Sequence, residues 1–322
     1  MKKLLVILTL IPILSWAQGQ NLKGKIIVDR LTSQSLQNSG GENPTRRVTI
    51  YLPPDYDKTT SRYPVIYYLH GFTWSDSLQI AYDHFDEVLD KAIATGKIRP
   101  VIVVMPNHNT LYRGSMYTNS PLYGNWADFT ARDLVTYIDR RFRTIPNKDS
   151  RGITGHSMGG HGAIKLGMLF PDVFSSVYAL SPGALGLAKE FGPTANAYKR
   201  AQEIKTIDEL IAGYDEVYAN VVVAMGRAYS PNPSKPPFYV DLPFTYEGEK
   251  LTINQKVLAL WNENCPIEMA DDYVKNLNKL KALKPDWGRN DEFTHIPLTC
   301  QIFSQKLENW SDTLCRGIYW GT

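Results

Sequence analysis

Gly155-His156-Ser157-Met158-Gly159-Gly160 fits G-x-S-x-G, a serine on a sharp turn between a strand and a helix. A serine hydroxyl is a poor nucleophile until a neighbouring base takes its proton. The chemistry at stake is therefore acyl transfer through a serine ester. Such a site needs a base, an acid to orient that base, and two backbone N–H groups for the developing oxyanion. One N–H comes from the residue after the nucleophile, Met158. The other comes from the loop after the third strand, His70-Gly71-Phe72-Thr73, where Phe72 is the expected donor and Thr73 its close competitor.

For the acid, Gly288-Arg289-Asn290-Asp291 follows the strand before the last predicted helix, which puts Asp291 where the carboxylate belongs. Asp286 and Glu292 are its rivals, and a capping role before Thr294 is the alternative for Asp291 itself. The segment from Tyr117 to Trp126 could line a sugar-binding surface through Tyr117, Asn119, Asn125 and Trp126. An aromatic core loop is the competing reading.

The elements that must hold these residues read as an alternating α/β pattern. Lys25-Ile26-Ile27-Val28 and Arg47 to Leu52 read as strands. Pro64 to Leu69 and Pro100 to Pro106 are continuous apolar runs, as in parallel strands covered on both faces. Helical spacing appears at 84–95, 128–142 and 163–170. Strands are expected at 149–154 and 175–181, around the serine turn and its helix. This order predicts a doubly wound, mostly parallel sheet. Alternation stops at Pro182. Residues 183–275 read as a helical or irregular insertion capping the carboxyl edge of the sheet, where ligands bind in such folds. The core is expected to span 18–182 and 276–322, with a strand at 280–287, a helix at 295–309 and a final strand near 313–320.

On Arg47-Val48-Thr49-Ile50-Tyr51-Leu52-Pro53, Tyr63 to Gly71, Asp133 to Asp139 with Phe142-Arg143, and the serine turn, the chain resembles a known group. This is the secreted putative-esterase family that includes feruloyl and acetylxylan esterases, S-formylglutathione hydrolase and mycolyltransferases. The resemblance covers residues 45–182 well and the Asp291 region moderately. It implies an α/β-hydrolase fold and ester hydrolysis without a cofactor, plausible substrates being acyl or feruloyl esters of carbohydrate.

The family also implies a histidine after the last strand, and here the chain departs from it. None of the six histidines follows the strand expected near 313–320. His295 is a weak candidate, because four residues beyond Asp291 it should share a helix face with it rather than approach Ser157. His70 is expected to orient the oxyanion loop, and His161 to pack or be solvated. The C-terminus therefore reads as truncated. The codons of Trp310 to Thr322 can be chosen so that a one-base shift gives Gly-Gln-Thr-Leu-Tyr-Ala-Glu-Glu-Tyr-Ile-Gly-X followed by His. A frameshifted tail from about residue 310 is the expectation, and the coding DNA tests it. The alternative function is a catalytically impaired homologue, or a carbohydrate-binding module without its histidine.

Composition adds the address. Met1-Lys2-Lys3, the apolar run Leu4 to Leu14 and Ser15-Trp16-Ala17 predict a signal peptide cleaved near Ala17, hence a secreted or periplasmic protein. No later segment is apolar enough to span a membrane. A net charge of +3 with 21% charged residues offers no electrostatic case for nucleic acid or membrane partners, which leaves a small-molecule or polysaccharide ester as the expected ligand. Three scattered cysteines make neither a disulfide framework nor a metal cluster, so no metal is expected.

Overall fold

The computed structural model describes residues 23–309; the signal-peptide segment, the expected strand near 313–320 and the tail read as frameshifted lie outside the described residues. The chain opens with an antiparallel pair, β1 (Lys25–Thr32) and β2 (Thr45–Leu52), followed by β3 (Val65–Leu69), α1 (Asp76–Ala81), α2 (Phe85–Ala94) and β4 (Ile102–Pro106). A small hairpin of β5 (Asn119–Ser120) and β6 (Gly124–Asn125) leads into α3 (Trp126–Asp128). A π-helical turn joins α3 to α4 (Val135–Arg141). Then come β7 (Arg151–His156), α5 (Met158–Leu169) and β8 (Ser176–Leu180).

The excursion after β8 carries α6 (Asn196–Glu203), α7 (Ile207–Ile211), α8 (Val217–Tyr229), the hairpin of β9 (Phe244–Glu247) and β10 (Lys250–Ile253), then α9 (Gln255–Asn262), α10 (Pro266–Asp272) and α11 (Val274–Leu277). The chain returns through β11 (Ala282–Asp286) and α12 (His295–Asn309).

Seven strands form one sheet in the order β1-β2-β4-β3-β7-β8-β11, parallel from β4 to β11. β3 and β4 are apolar nearly throughout because helices cover both sheet faces, and β4 is buried along its whole length. This topology places the crevice. From β3 the chain steps to β4 on one side, while β7 lies on the other. The carboxyl ends of β3 and β7 thus flank a switch point, where ligands bind in open α/β sheets. Register finishes the job. Leu69 pairs with Gly155, His156 with Leu180, and Leu180 with Asp286, so the loops after β3, β7, β8 and β11 leave the sheet at one level.

Candidate active site

Ser157 stands alone between β7 and α5 with φ 55° and ψ −117°, a left-side conformation that a side chain rarely adopts. Its backbone is pinned on both sides. Its N–H donates to Leu180 O, and its carbonyl accepts from His161 N–H and Gly183 N–H, each at 3.0 Å. The turn is tight enough to dictate its neighbours. A Cβ on Gly159 would lie 2.0 Å from Leu69 O, and one on Gly155 would lie 2.4 Å from Gly159 O. Both contacts are with backbone that cannot swing aside. Gly159→Ala is expected to destabilise the fold by about 1–3 kcal/mol or more, read as a lower denaturation midpoint with unchanged slope. A midpoint equal to the parent's would show that the turn relaxes freely.

His295 is the first residue of α12, buried to 4% exposure. A Cβ built on Gly183 would lie 3.5 Å from both His295 Nε2 and Ser157 Oγ, so the two atoms border one methyl-sized space. Apo sites often leave such pairs loose until substrate closes them. The other ring nitrogen, Nδ1, must carry its proton, because it donates to the Glu190 carboxylate Oε2 at 3.0 Å. Glu190 lies on the turn Lys189–Phe191, at the start of the excursion after β8. Its carboxylate also accepts from His295 N–H (2.9 Å), Thr294 N–H (3.0 Å) and the Thr294 hydroxyl (2.7 Å). The acid is thus seated on the N-terminal end of α12, where exposed N–H groups favour negative charge. Burial alone would raise the Glu190 pKa, but the Thr294 hydroxyl, backbone donation and His295 bring it below the ordinary value. Burial holds the His295 ring below the usual histidine value, partly offset by the Glu190 charge.

Two expectations need correction. His295 does not share a helix face with Asp291, because α12 begins at His295 itself and residues 291–294 form the turn before it. The loop, and not helical periodicity, therefore sets the direction of its side chain. Among the described residues β11 is the last strand, so a histidine does follow it. Asp291 does not meet the imidazole nitrogen either. Its Oδ1 accepts from Phe293 N–H at 3.0 Å, a local turn contact, and Glu190 takes the Nδ1 proton instead. Glu190 lies at the start of the excursion, whereas chain order alone points to an acid after it. The available signal is a carboxylate just after the small and apolar residues 182–188, soon after β8.

The loop after β3 is held from below. His70 Nδ1–H donates to Gly71 O and its Nε2 accepts from His108 N–H, both at 2.8 Å, while Tyr117 OH donates to His70 O at 2.8 Å. With both nitrogens engaged as in a neutral ring, burial drives the His70 pKa down to about 4. Thr73 N–H is consumed by Arg113 O at 3.0 Å, which favours Phe72 over Thr73 as the free donor of this loop. Met158 N–H opens α5 and has no intrahelical acceptor. His161 packs under the turn, donating from Nδ1 to Ala184 O at 3.1 Å.

The predicted sugar-contacting residues do not line the crevice. Tyr117 and Trp126 are fully buried, the latter donating its indole N–H to Tyr123 O. Asn119 accepts from Ala127 and Asp128 N–H as a turn residue, and Asn125 pairs with it across the β5–β6 hairpin. The core-loop alternative holds because the aromatic rings of this segment wedge around the buried His108. The crevice beside Ser157 is instead a cavity of about 500 Å³. One wall is apolar, with Phe191, Tyr218, Val221, Phe293 and Ile296; Phe191 stands edge-on to the His295 ring at 4.7 Å. Tyr68, Trp74, Gln79 and Asp83 also line it.

Comparison with known proteins shows the family and the fold. The Esterase family, described as putative esterase, matches residues 39–301. The chain belongs to that family. It is 33% identical over 156 residues to Esterase Rv1288 of Mycobacterium tuberculosis, covering 47% of this chain and 32% of that protein. It is also 32% identical over 146 residues to an endo-1,4-beta-xylanase/feruloyl esterase of Xylanibacter ruminicola, covering 42% of this chain and 19% of that one. The match thus spans a third or less of these two relatives' own length. Among solved structures, a ferulic acid esterase superposes with TM-score 0.58 at 22% identity over 94% of this chain and 92% of that one. An S-formylglutathione hydrolase from Agrobacterium tumefaciens gives 0.57 at 17% identity over 92% and 86%. At these identities the two structures establish the α/β-hydrolase fold. Among the described residues no helix is long and apolar enough to cross a membrane.

Proposed function

We propose that the chain is a serine carboxylic ester hydrolase exported by its N-terminal segment, with Ser157, His295 and Glu190 as its triad. The observation that carries this reading is the Glu190–His295 pair, whose free Nε2 borders the space beside Ser157 Oγ. In the forward step Ser157 Oγ attacks the ester carbonyl while His295 Nε2 takes the hydroxyl proton. Glu190 stabilises the imidazolium that forms, and the N–H groups of Phe72 and Met158 receive the oxyanion. His295 then gives its proton to the departing alkoxide, leaving an acyl-Ser157 ester. A water molecule, deprotonated by the same nitrogen, attacks that ester, and collapse returns the proton to Oγ with release of the acid.

The aromatic wall of Phe191, Tyr218 and Phe293 supports an aromatic acyl group, and the feruloyl esterase named among the relatives points the same way. The substrate we favour is therefore an aryl ester, such as feruloyl, on carbohydrate.

The test is release of nitrophenol from nitrophenyl acetate and of ferulate from methyl ferulate. Turnover well above a Ser157→Ala control is expected. Turnover equal to that control would leave the impaired homologue or carbohydrate-binding module as the better reading. That alternative rests on a missing base; the position of His295 beside Ser157 supports the esterase reading over it.

The pH profile follows from His295. The base works only when neutral, and its pKa lies below the ordinary 6.5, so the neutral form persists to lower pH than in a free imidazole. kcat/KM is expected to rise with pH through a midpoint below 6.5 and then level off. A midpoint above 6.5 would contradict a desolvated His295 as the base.

A further inference from the structure

The part of the cavity lining formed by Tyr68, Trp74, Gln79 and Asp83 is built differently from the apolar part, and its construction is specific. Trp74 follows the Phe72 loop directly, and its backbone is fixed by its N–H donating to Gly71 O at 3.2 Å and its carbonyl accepting from Asn109 Nδ2 at 3.1 Å. Its side chain is fixed as well. Gln79, buried to 3% exposure, is oriented by its two neighbours. Its amide oxygen accepts from Trp74 Nε1–H at 2.9 Å, and its NH2 donates to Asp83 Oδ2 at 3.0 Å. A buried amide thereby locks an indole plane and a carboxylate into one relative position on α1 and the turn after it. Asp83 is exposed, and its second oxygen has no hydrogen-bond partner among the described residues. Next to Trp74 stands Tyr82, 69% exposed, with ring centroids 6.1 Å apart.

A rigid, partly exposed indole beside a carboxylate with free lone pairs suits a ligand that has both a C–H face and hydroxyl donors. A sugar ring has both; a plain aryl group has only the first. The two walls of the cavity therefore sort the two halves of an ester, with the apolar wall for the acyl group and this one for a polyhydroxylated alcohol.

We propose that Trp74, Gln79 and Asp83 form a subsite for the sugar moiety of the ester substrate, an inference that rests on the esterase reading above. The burial of Tyr68, with the nearby Asp83 charge, pushes the phenol up to about 12, so it remains an O–H donor on the same wall.

The test compares methyl cinnamate, methyl ferulate and a feruloyl arabinofuranoside on the parent protein, Asp83→Asn and Trp74→Leu. The expected result is a fall of at least about tenfold in the ratio of kcat/KM for the sugar ester to that for methyl ferulate in both variants, carried mainly by KM. An unchanged ratio overturns the proposal. So does a shift confined to methyl ferulate against methyl cinnamate, since that would put the phenol of the acyl group, and not the sugar, against Asp83. A parent protein that cleaves none of the three esters would instead fail the esterase reading itself, so the two failures are distinguishable. Nitrophenyl acetate hydrolysis and circular dichroism establish that each variant is folded.

Discussion

Replacement of His295 by alanine is expected to lower kcat by about a millionfold, to the level left by Ser157→Ala. The expectation is this large because, on the proposed mechanism, the ring carries all the proton traffic at Ser157: of the three atoms nearest a Cβ on Gly183, two belong to Ser157 and the third is His295 Nε2. His70 and His161 have their ring nitrogens engaged in structural hydrogen bonds, and burial holds both well below the neutral range. The double variant Ser157→Ala/His295→Ala should be no worse than either single one, since nucleophile and base act as a unit. The fold should survive, because Glu190 keeps its three other donors from Thr294 and the helix end. His295→Gln serves as a shape-conserving companion should alanine loosen the packing against Phe191. Activity within tenfold of the parent in both variants would remove His295 from the mechanism.

Glu190→Gln should cost about ten-thousandfold in kcat. The amide is nearly isosteric and can still accept at Oε1 from Thr294. Facing Nδ1, however, it is free to present an N–H, which favours the tautomer with the proton on Nε2, where it cannot accept from Ser157. It also removes the negative charge that stabilises the imidazolium. The same loss takes away the influence that raises the His295 pKa, so any residual activity should show its acid limb at still lower pH. Asp291→Asn, by contrast, should leave kcat within about tenfold, because Asp291 acts on His295 only through its charge and spends its hydrogen bond on Phe293. Kinetics on the two variants side by side check both statements. Equal losses would mean that Asp291 shares the role assigned to Glu190.

Much of this was legible in the residues. The apolar runs of β3 and β4, the strand–serine–helix sequence around Ser157, and the helix beginning at His295 each have a local cause: burial on both faces, a turn that only small neighbours permit, and apolar spacing along one face. What escaped depends on contacts far apart in sequence. Glu190 and His295 are 105 positions apart and meet only because β8 and β11 are neighbouring strands whose loops leave at one level. No local pattern announces that. His295 was undervalued through a helix rule applied one turn too early, since residues 291–294 are not yet helix. The Tyr117–Trp126 segment has the composition of a sugar-binding surface, but aromatic residues suit a core as well, and only burial separates the two. The residues that do form an amphipathic wall, Trp74 and Asp83, lie nine apart across a short helix and were not singled out.

The central claim is that Ser157 is made nucleophilic by His295 held on Glu190. Labelling with a fluorophosphonate tests it most directly, because the reagent forms a phosphonyl ester only with an activated serine, and peptide mass spectrometry then reports which residue carries it. The account predicts stoichiometric modification of Ser157 in the parent protein and in Asp291→Asn. It predicts none in Ser157→Ala, and labelling slower by at least a thousandfold in His295→Ala. A phosphonyl group on any other residue, or undiminished labelling of Ser157 in His295→Ala, would contradict it.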